Sequence, residues 1–309
     1  SGRFRHQALG PADYPAVGDW AAVRPVEGGP ALIEALLPRR GAFTRKAAGE
    51  AVEAQVVAAN VDTVFLISGL DGDFNVRRIE RYLATAWSSG ARPVIVLNKA
   101  DLRPDLASAA AEAAGVAPGV PIVTVRALDE GGLEGLRPYL EPGRTVALLG
   151  SSGVGKSTMI NRLLGEDRFR TAAMSDAGEG RGRHTTTARE LVRLPDGALL
   201  IDTPGRRELG LWADDDGLDR TFDEIEALAA RCRFPDCGHE REPGCAVRAA
   251  VESGALDAGR WRSYLKLRRE LRFMELKKDE KARRQSEKAA GRDFAARIKE
   301  IKRNKPRYR

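Results

Sequence analysis

The chain has 309 residues, with 51 Lys and Arg against 44 Asp and Glu, and a formal net charge of +7. That length accommodates two or three domains with a sizeable core, and the basic balance favours a nucleic-acid partner. The only cysteines, Cys232, Cys237 and Cys245, are odd in number and clustered, which argues against a disulfide framework and for a reducing cytoplasm. No apolar run approaches the 18 residues of a membrane-spanning helix, so no membrane partner is expected.

The first residues, SGRFRHQALG, carry neither an initiator Met nor an apolar signal-peptide core, and the chain reads as trimmed or a fragment. Residues 1–48 place DWAAV and ALIEALLPRR between Gly and Pro breaks, a pattern of short strands and a small β-module. It ends in a basic cluster, Arg39, Arg40, Arg45 and Lys46, which is either a nucleic-acid contact or a solvated surface. From residue 49 the pattern changes to βα units. VDTVFLIS (61–68) is a buried strand, and residues 74–90 have helical spacing at Val76, Ile79, Leu83 and Trp87. PVIVLN (93–98), PIVTV (121–125), TVALLG (145–150), ELVRL (190–194) and ALLIDTPG (198–205) continue the sheet. The PDG turn at 195–197 makes the last two an antiparallel hairpin. Strands alternating with helices predict an α/β fold with a mainly parallel sheet and ligands at the strand C-termini. Beyond residue 220 the chain is helical and loop-rich around the cysteines. Residues 266–309 hold 18 Lys and Arg against 7 Asp and Glu, so the basic character is concentrated in a charged helical tail. The expected boundaries are a β-module over 1–48, an α/β domain over 49–219, a cysteine-containing domain over 220–265 and the tail over 266–309.

The chemistry lies in motifs whose order is unusual. GSSGVGKST, Gly150 to Thr158, follows an apolar strand and opens a helix, the context of a phosphate loop. Ser152, Gly153, Val154, Gly155, Lys156, Ser157 and Thr158 are its expected phosphate contacts. Backbone N–H groups wrap the oxygens, and Lys156 reaches the β- and γ-phosphates. Ser157 would offer its hydroxyl to Mg²⁺, the Asp202 carboxylate of DTPG would hold the ion through water, and the Gly205 N–H would meet the γ-phosphate. NKAD, Asn98 to Asp101, comes before the phosphate loop rather than after it. The Asp101 carboxylate can accept two N–H bonds that guanine offers and adenine does not, while Asn98 and Lys99 shape the base pocket. Ala127, in VRAL, would complete that pocket through its N–H, with Arg126 where many GTPases have Ser. The expected ligand is therefore GTP, bound by a site whose parts occur in rotated chain order.

GRGRHTTT (180–187) lies between phosphate loop and DTPG and reads as a switch segment that orders when a Thr, Thr186 in preference to Thr185, reaches Mg²⁺. Arg206 stands where some GTPases carry a water-orienting Gln. His184 is the candidate to orient the attacking water, the alternative being an inert loop histidine. Cys232, Cys237, His239 and Cys245 supply three thiolates and an imidazole, the donor set of one closed structural Zn²⁺ site.

Taken together, PAVGDW, LLPRRGAFTRKA, AANVDTVFLIS, NKADL, GSSGVGKST, GRHTTT, DTPG, and CRFPDCGHEREPGC followed by Arg260 to Tyr264 resemble the ribosome small-subunit-dependent GTPase A family of circularly permuted bacterial GTPases. The likeness covers nearly the whole chain. It implies a circularly permuted P-loop GTPase domain, an N-terminal OB-like module and a C-terminal α-helical zinc domain. It implies hydrolysis of GTP to GDP and phosphate, stimulated by the small ribosomal subunit during its late maturation, with that subunit and its rRNA as partners of a cytoplasmic monomer. An OB-fold has five strands, and 48 residues leave room for fewer, so the module is expected to be incomplete. Two other readings remain at this stage: a GTPase acting on a non-ribosomal partner, and an RNA-binding module with a regulatory GTP site.

Overall fold

The computed structural model of the chain describes residues 10–46, 54–169, 190–202 and 213–277. Strands β1 (Ala21–Val26) and β2 (Gly29–Leu36) form an antiparallel pair with mostly exposed side chains. β3 (Ala42–Lys46) pairs antiparallel with β4 (Ala54–Ala59). That pairing runs across residue 48, where the sequence pattern puts a boundary. AQVVAA does not alternate, so nothing in its pattern separates it from the βα units that follow.

Six strands make the central sheet: β5 (Thr63–Gly69), β6 (Arg92–Asn98), β7 (Ile122–Thr124), β8 (Thr145–Leu149), β9 (Leu191–Arg193) and β10 (Leu199–Asp202). Their spatial order is β7-β6-β5-β8-β10-β9, parallel except for β9, which pairs antiparallel with β10 across the predicted turn. Continuous apolar runs serve a sheet covered on both faces, and alternate side chains divide between the two. Val64 and Leu66 of β5, Ile95 and Leu97 of β6, and Ala147 and Leu149 of β8 join one core. Helix α1 (Val76–Ser88) contributes Ile79, Tyr82, Leu83 and Ala86 to it, and α2 (Leu106–Val116) contributes Ala109 and Ala113. Phe65 and Ile67, Val94 and Val96, and Val146 and Leu148 join the other core, with Met159 and Ile160 of α3 (Lys156–Leu164). Each of the larger apolar side chains among them, fully buried, contributes roughly 1.5–3 kcal/mol.

The order reverses between β5 and β8. Chain leaving β5 turns into α1 on one face, and chain leaving β8 turns into α3 on the other. Such a reversal opens a crevice at the C-terminal ends of the two strands, where α/β sheets bind ligands.

Beyond residue 213 lie three short helices, α4 (Asp215–Thr221), α5 (Asp223–Ala229) and α6 (Ala246–Glu252), and a longer one, α7, over 258–277. They share a core of Leu218, Phe222, Ile225, Val247, Leu256, Tyr264 and Leu267. Leu218, on α4, and Phe222 belong to this core, so the unit takes in residues on both sides of the boundary expected at 219. It sits against α1: the Asp214 N–H donates to Ser88 Oγ at 2.8 Å, and the Arg220 guanidinium lies 3.6 Å from the Trp87 ring centroid.

Candidate nucleotide site and metal centre

The phosphate loop joins β8 to α3 at the switch point. Gly153 and Gly155 take the left-handed backbone, at φ 84° and 102°. At Gly155 a Cβ would collide with the Asn98 amide, so glycine there permits both the turn and the contact with NKAD. Lys156 opens α3, is buried, and donates from Nζ to the carbonyl oxygens of Gly150 and Ser151, the latter at 2.9 Å. Ser157 and Thr158 follow in the first turn, half-buried, while Ser152 and Gly153 are exposed. Polyphosphate oxygens arriving over this helix N-terminus would meet both its backbone N–H groups and the Lys156 charge.

Asn98 ends β6 and binds the site together. Its Nδ2 donates to Val154 O in the phosphate loop at 2.7 Å, and its Oδ1 accepts the Ala127 N–H at 3.1 Å. The Ala127 N–H, expected on the base, is here taken by Asn98 Oδ1 and ties the VRAL loop to Asn98. Lys99 adopts the left-handed backbone at φ 62°, and its Nζ lies 2.5 Å from Asp71 Oδ2. Asp101 is exposed in the single 3-10 turn that follows, open to a base edge. Arg126 is half exposed and pairs with Asp129 at 3.7 Å.

Asp202 ends β10 and is buried. Burial pushes its carboxyl above the usual carboxylate range, with Lys156 pulling the other way. A buried carboxyl that resists ionisation is one that a divalent cation would compensate. Ser157 and Asp202 are oxygen donors suited to Mg²⁺. Thr186, His184, Gly205 and Arg206 lie outside the described residues.

The second centre is formed by Cys232, Cys237, His239 and Cys245, whose ligand atoms all lie within 4.8 Å of one another. Cys232 Sγ and Cys245 Sγ are 3.9 Å apart, and His239 Nδ1 lies 3.6 and 3.4 Å from them. Thiolates about 2.3 Å from a tetrahedral ion sit about 3.8 Å apart, so the spacing fits a metal site. His239 uses the left-handed backbone at φ 58° to turn its ring inward, and burial keeps the imidazole below its usual range, hence neutral and able to ligate. The Arg248 N–H donates to Cys245 Sγ at 3.4 Å, and the Trp261 and His239 rings meet at right angles, contacts that hold these two ligands in place.

Two groups of charges escape the motif reading. Asp71, Asp73 and Arg78 gather beside the phosphate loop. Arg260 is buried between helices α1 and α2 and the C-terminal unit, donating to Glu80 at 3.1 Å, to the Val116 carbonyl at 3.2 Å, to Glu224, and to the Thr221 carbonyl at 2.7 Å. A DGD run between strand and helix is the only sequence signal for the first. For Arg260 the signal is the RxxSY pattern, which identifies the residue but not its partners.

A family model described as RsgA GTPase matches residues 36–212. The chain is 58% identical over 280 residues to the small ribosomal subunit biogenesis GTPase RsgA of Opitutus terrae, covering 87% of this chain and 76% of that protein. It is 50% identical over 276 residues to the small ribosomal subunit biogenesis GTPase RsgA 2 of Lactiplantibacillus plantarum, covering 89% and 77%. Among solved structures, YjeQ from Thermotoga maritima superposes with a TM-score of 0.62 at 31% identity, over 88% of each chain. YloQ, described as a circularly permuted GTPase, superposes with a TM-score of 0.58 over 90% of this chain and 84% of its own, at 23% identity, a likeness of fold.

Proposed function

The chain belongs to the RsgA GTPase family, GTP-hydrolysing enzymes of ribosome biogenesis, and from that premise we propose how its own residues carry the reaction. The observation that supports the reading best is Asn98, whose one side chain joins the phosphate loop to the loop of Ala127 at the switch point. Motifs separated by some fifty residues and rotated in order thereby form one cleft.

In this reading Asn98, Lys99, Asp101 and Ala127 bind guanine. Ser152 to Thr158 and Gly205 bind the phosphates, and Lys156 leaves its two carbonyl acceptors for the β- and γ-oxygens. Ser157, Thr186 and Asp202 would hold Mg²⁺, which when bound would neutralise charge on the phosphates. His184 orients the water for in-line attack on the γ-phosphorus. Catalysis is then mainly positioning and electrostatics, and with no Gln at Arg206 the unaided rate is slow.

The partner is the small ribosomal subunit with its rRNA, engaged in the cytoplasm by a monomer. No helix among the described residues is long and apolar enough to cross a membrane. The hairpin β1–β2 supports RNA contact: Trp20 beside it is 65% exposed, free to stack on a base, with Arg24 and Arg40 exposed nearby in the chain. The Cys₃His centre takes Zn²⁺ and stabilises the C-terminal unit. The order of units is that of the sequence expectation, an OB-like module, a permuted GTPase domain, a zinc domain and a basic tail, with the first boundary moved past β4 and the second moved back before α4.

The test is GTP turnover with and without purified small subunits, with Lys156→Ala as the control. Stimulation that Lys156→Ala abolishes is the expected result. Turnover indifferent to the subunit, in zinc-loaded protein, would overturn the ribosomal assignment.

A further inference from the structure

Chain leaving β5 crosses the crevice before it enters α1, and this crossing, residues 70–75, belongs to none of the nucleotide motifs. It carries Asp71 and Asp73. Asp71 Oδ2 lies 2.5 Å from Lys99 Nζ, while Asp71 Oδ1 accepts the Asp73 N–H at 3.1 Å. The bond from Lys99 holds the Asp71 carboxyl below the usual carboxylate range. Asp73 accepts a hydrogen bond from the Ser151 hydroxyl, in the phosphate loop. Arg78, in the first turn of α1, lies 2.6 Å from Asp73 Oδ1 and donates to Ser151 Oγ at 2.9 Å. At Gly69 a Cβ would stand 2.8 Å from Asp71 Oδ1, so the carboxylate folds back close over the glycine that ends the strand.

Carboxylates beside a polyphosphate site are unfavourable unless each is matched by a cation. Here each is matched, Asp71 by Lys99 and Asp73 by Arg78, and all four side chains remain about a third exposed rather than locked in a core. Lys99 lies on the base-reading side of the cleft and Ser151 on the phosphate side. We infer that Asp71 and Asp73 are positioning residues of the nucleotide site. Asp71 sets the Lys99 side chain for the guanine ring, and Asp73, with Arg78, sets the first turn of the phosphate loop through Ser151. The inference rests on the GTP reading of this cleft. It predicts two separable effects, because the base is common to all guanosine nucleotides while the β- and γ-phosphates are not.

The experiment measures competition by GMP, GDP and GTP against a fluorescent GDP analogue for the full chain, Asp71→Asn and Asp73→Asn, with the thermal unfolding midpoint recorded alongside. Asp71→Asn should weaken all three nucleotides by a similar factor, on the order of tenfold, the size expected on losing a charged hydrogen-bond partner. Asp73→Asn should weaken GDP and GTP by on the order of tenfold and leave GMP unchanged. In a Ser151→Ala background Asp73→Asn should add nothing further, since the two act through one bond. Unchanged affinities would overturn the inference, as would an equal loss for all three nucleotides in both variants accompanied by a lower unfolding midpoint. A wild-type chain that binds none of the three would instead overturn the reading of the cleft itself.

Discussion

The sheet and the C-terminal unit are held by different means. In β5, β6 and β8 nearly every side chain is buried, and two continuous aliphatic cores lie on opposite faces. The unit beyond residue 213 has one smaller core, assembled from helices of seven residues and from α7. Helices that short are unstable alone, and so few apolar groups seldom suffice for a domain. Its structure leans on two polar devices, the Cys₃His cluster and the charged seam with α1. In that seam Arg260, 7% exposed, meets Glu80 and Glu224, and Arg81 reaches Glu270 at 2.7 Å. Apolar burial is tolerant and needs no partner, whereas a ligand set or a buried ion pair works only when every member is present.

That contrast is breakable in three places. The largest effect is expected from metal removal. Structural zinc contributes about 10–16 kcal/mol of apparent folding free energy in small sites, so a strong chelator should abolish amide-exchange protection across 213–277 and leave β5, β6 and β8 protected. Loss of protection in the sheet as well would show that the two regions are one cooperative unit. Next is Arg260→Ala, which leaves Glu224 without its cation and Glu80 with Arg77 alone, a loss of up to about 3–5 kcal/mol. Among the described residues Glu80 Oε2 is already the one buried side-chain oxygen or nitrogen without a hydrogen-bond partner, and Arg77, 2.6 Å from Oε1, is the cation that remains. Urea unfolding should show the C-terminal unit melting first, and a single transition at the wild-type midpoint would remove the seam from the account.

The smallest effect concerns Asp202, where the sheet itself carries a polar burden. Its carboxyl is raised by burial, so the folded state holds the proton more tightly than the unfolded state. The resulting penalty is absent below the ordinary carboxylate range, grows as pH rises through it, and is complete above the raised value. Asp202→Asn should therefore raise the unfolding midpoint of nucleotide-free protein at neutral pH, converge with wild type in acid, and weaken Mg²⁺-dependent GTP binding. A neutral-pH midpoint below wild type would contradict the penalty.

Much of the sheet was legible because its strands are apolar runs with turn residues between them. The antiparallel pairing of β9 with β10 follows from the PDG turn, and the structure adds its register, Leu199 opposite Arg193. Helix α2 was not, because LASAAAEAAGV is nearly all small side chains and shows no clear stripe; its Asp105 cap, which accepts from Ser108 N at 3.0 Å, is the residual signal. The hairpin β3–β4 was split because a strand pair is a contact between segments, and local pattern carries no record of the partner.

What the sequence determines by itself is chemistry that resides in one short segment. GSSGVGKST needs its glycines and lysine wherever the loop sits, NKAD carries its own hydrogen-bond code, and four sulfur and nitrogen donors within fourteen residues are close by connectivity. Tertiary structure alone decided what those segments meet. Asn98 reaches Val154 and Ala127, Lys99 finds Asp71, Ser151 finds Asp73, and Arg260 finds Glu80, 180 residues away. Polar partners are chosen by distance and burial in three dimensions, and strand order at the switch point, rather than order along the chain, sets both.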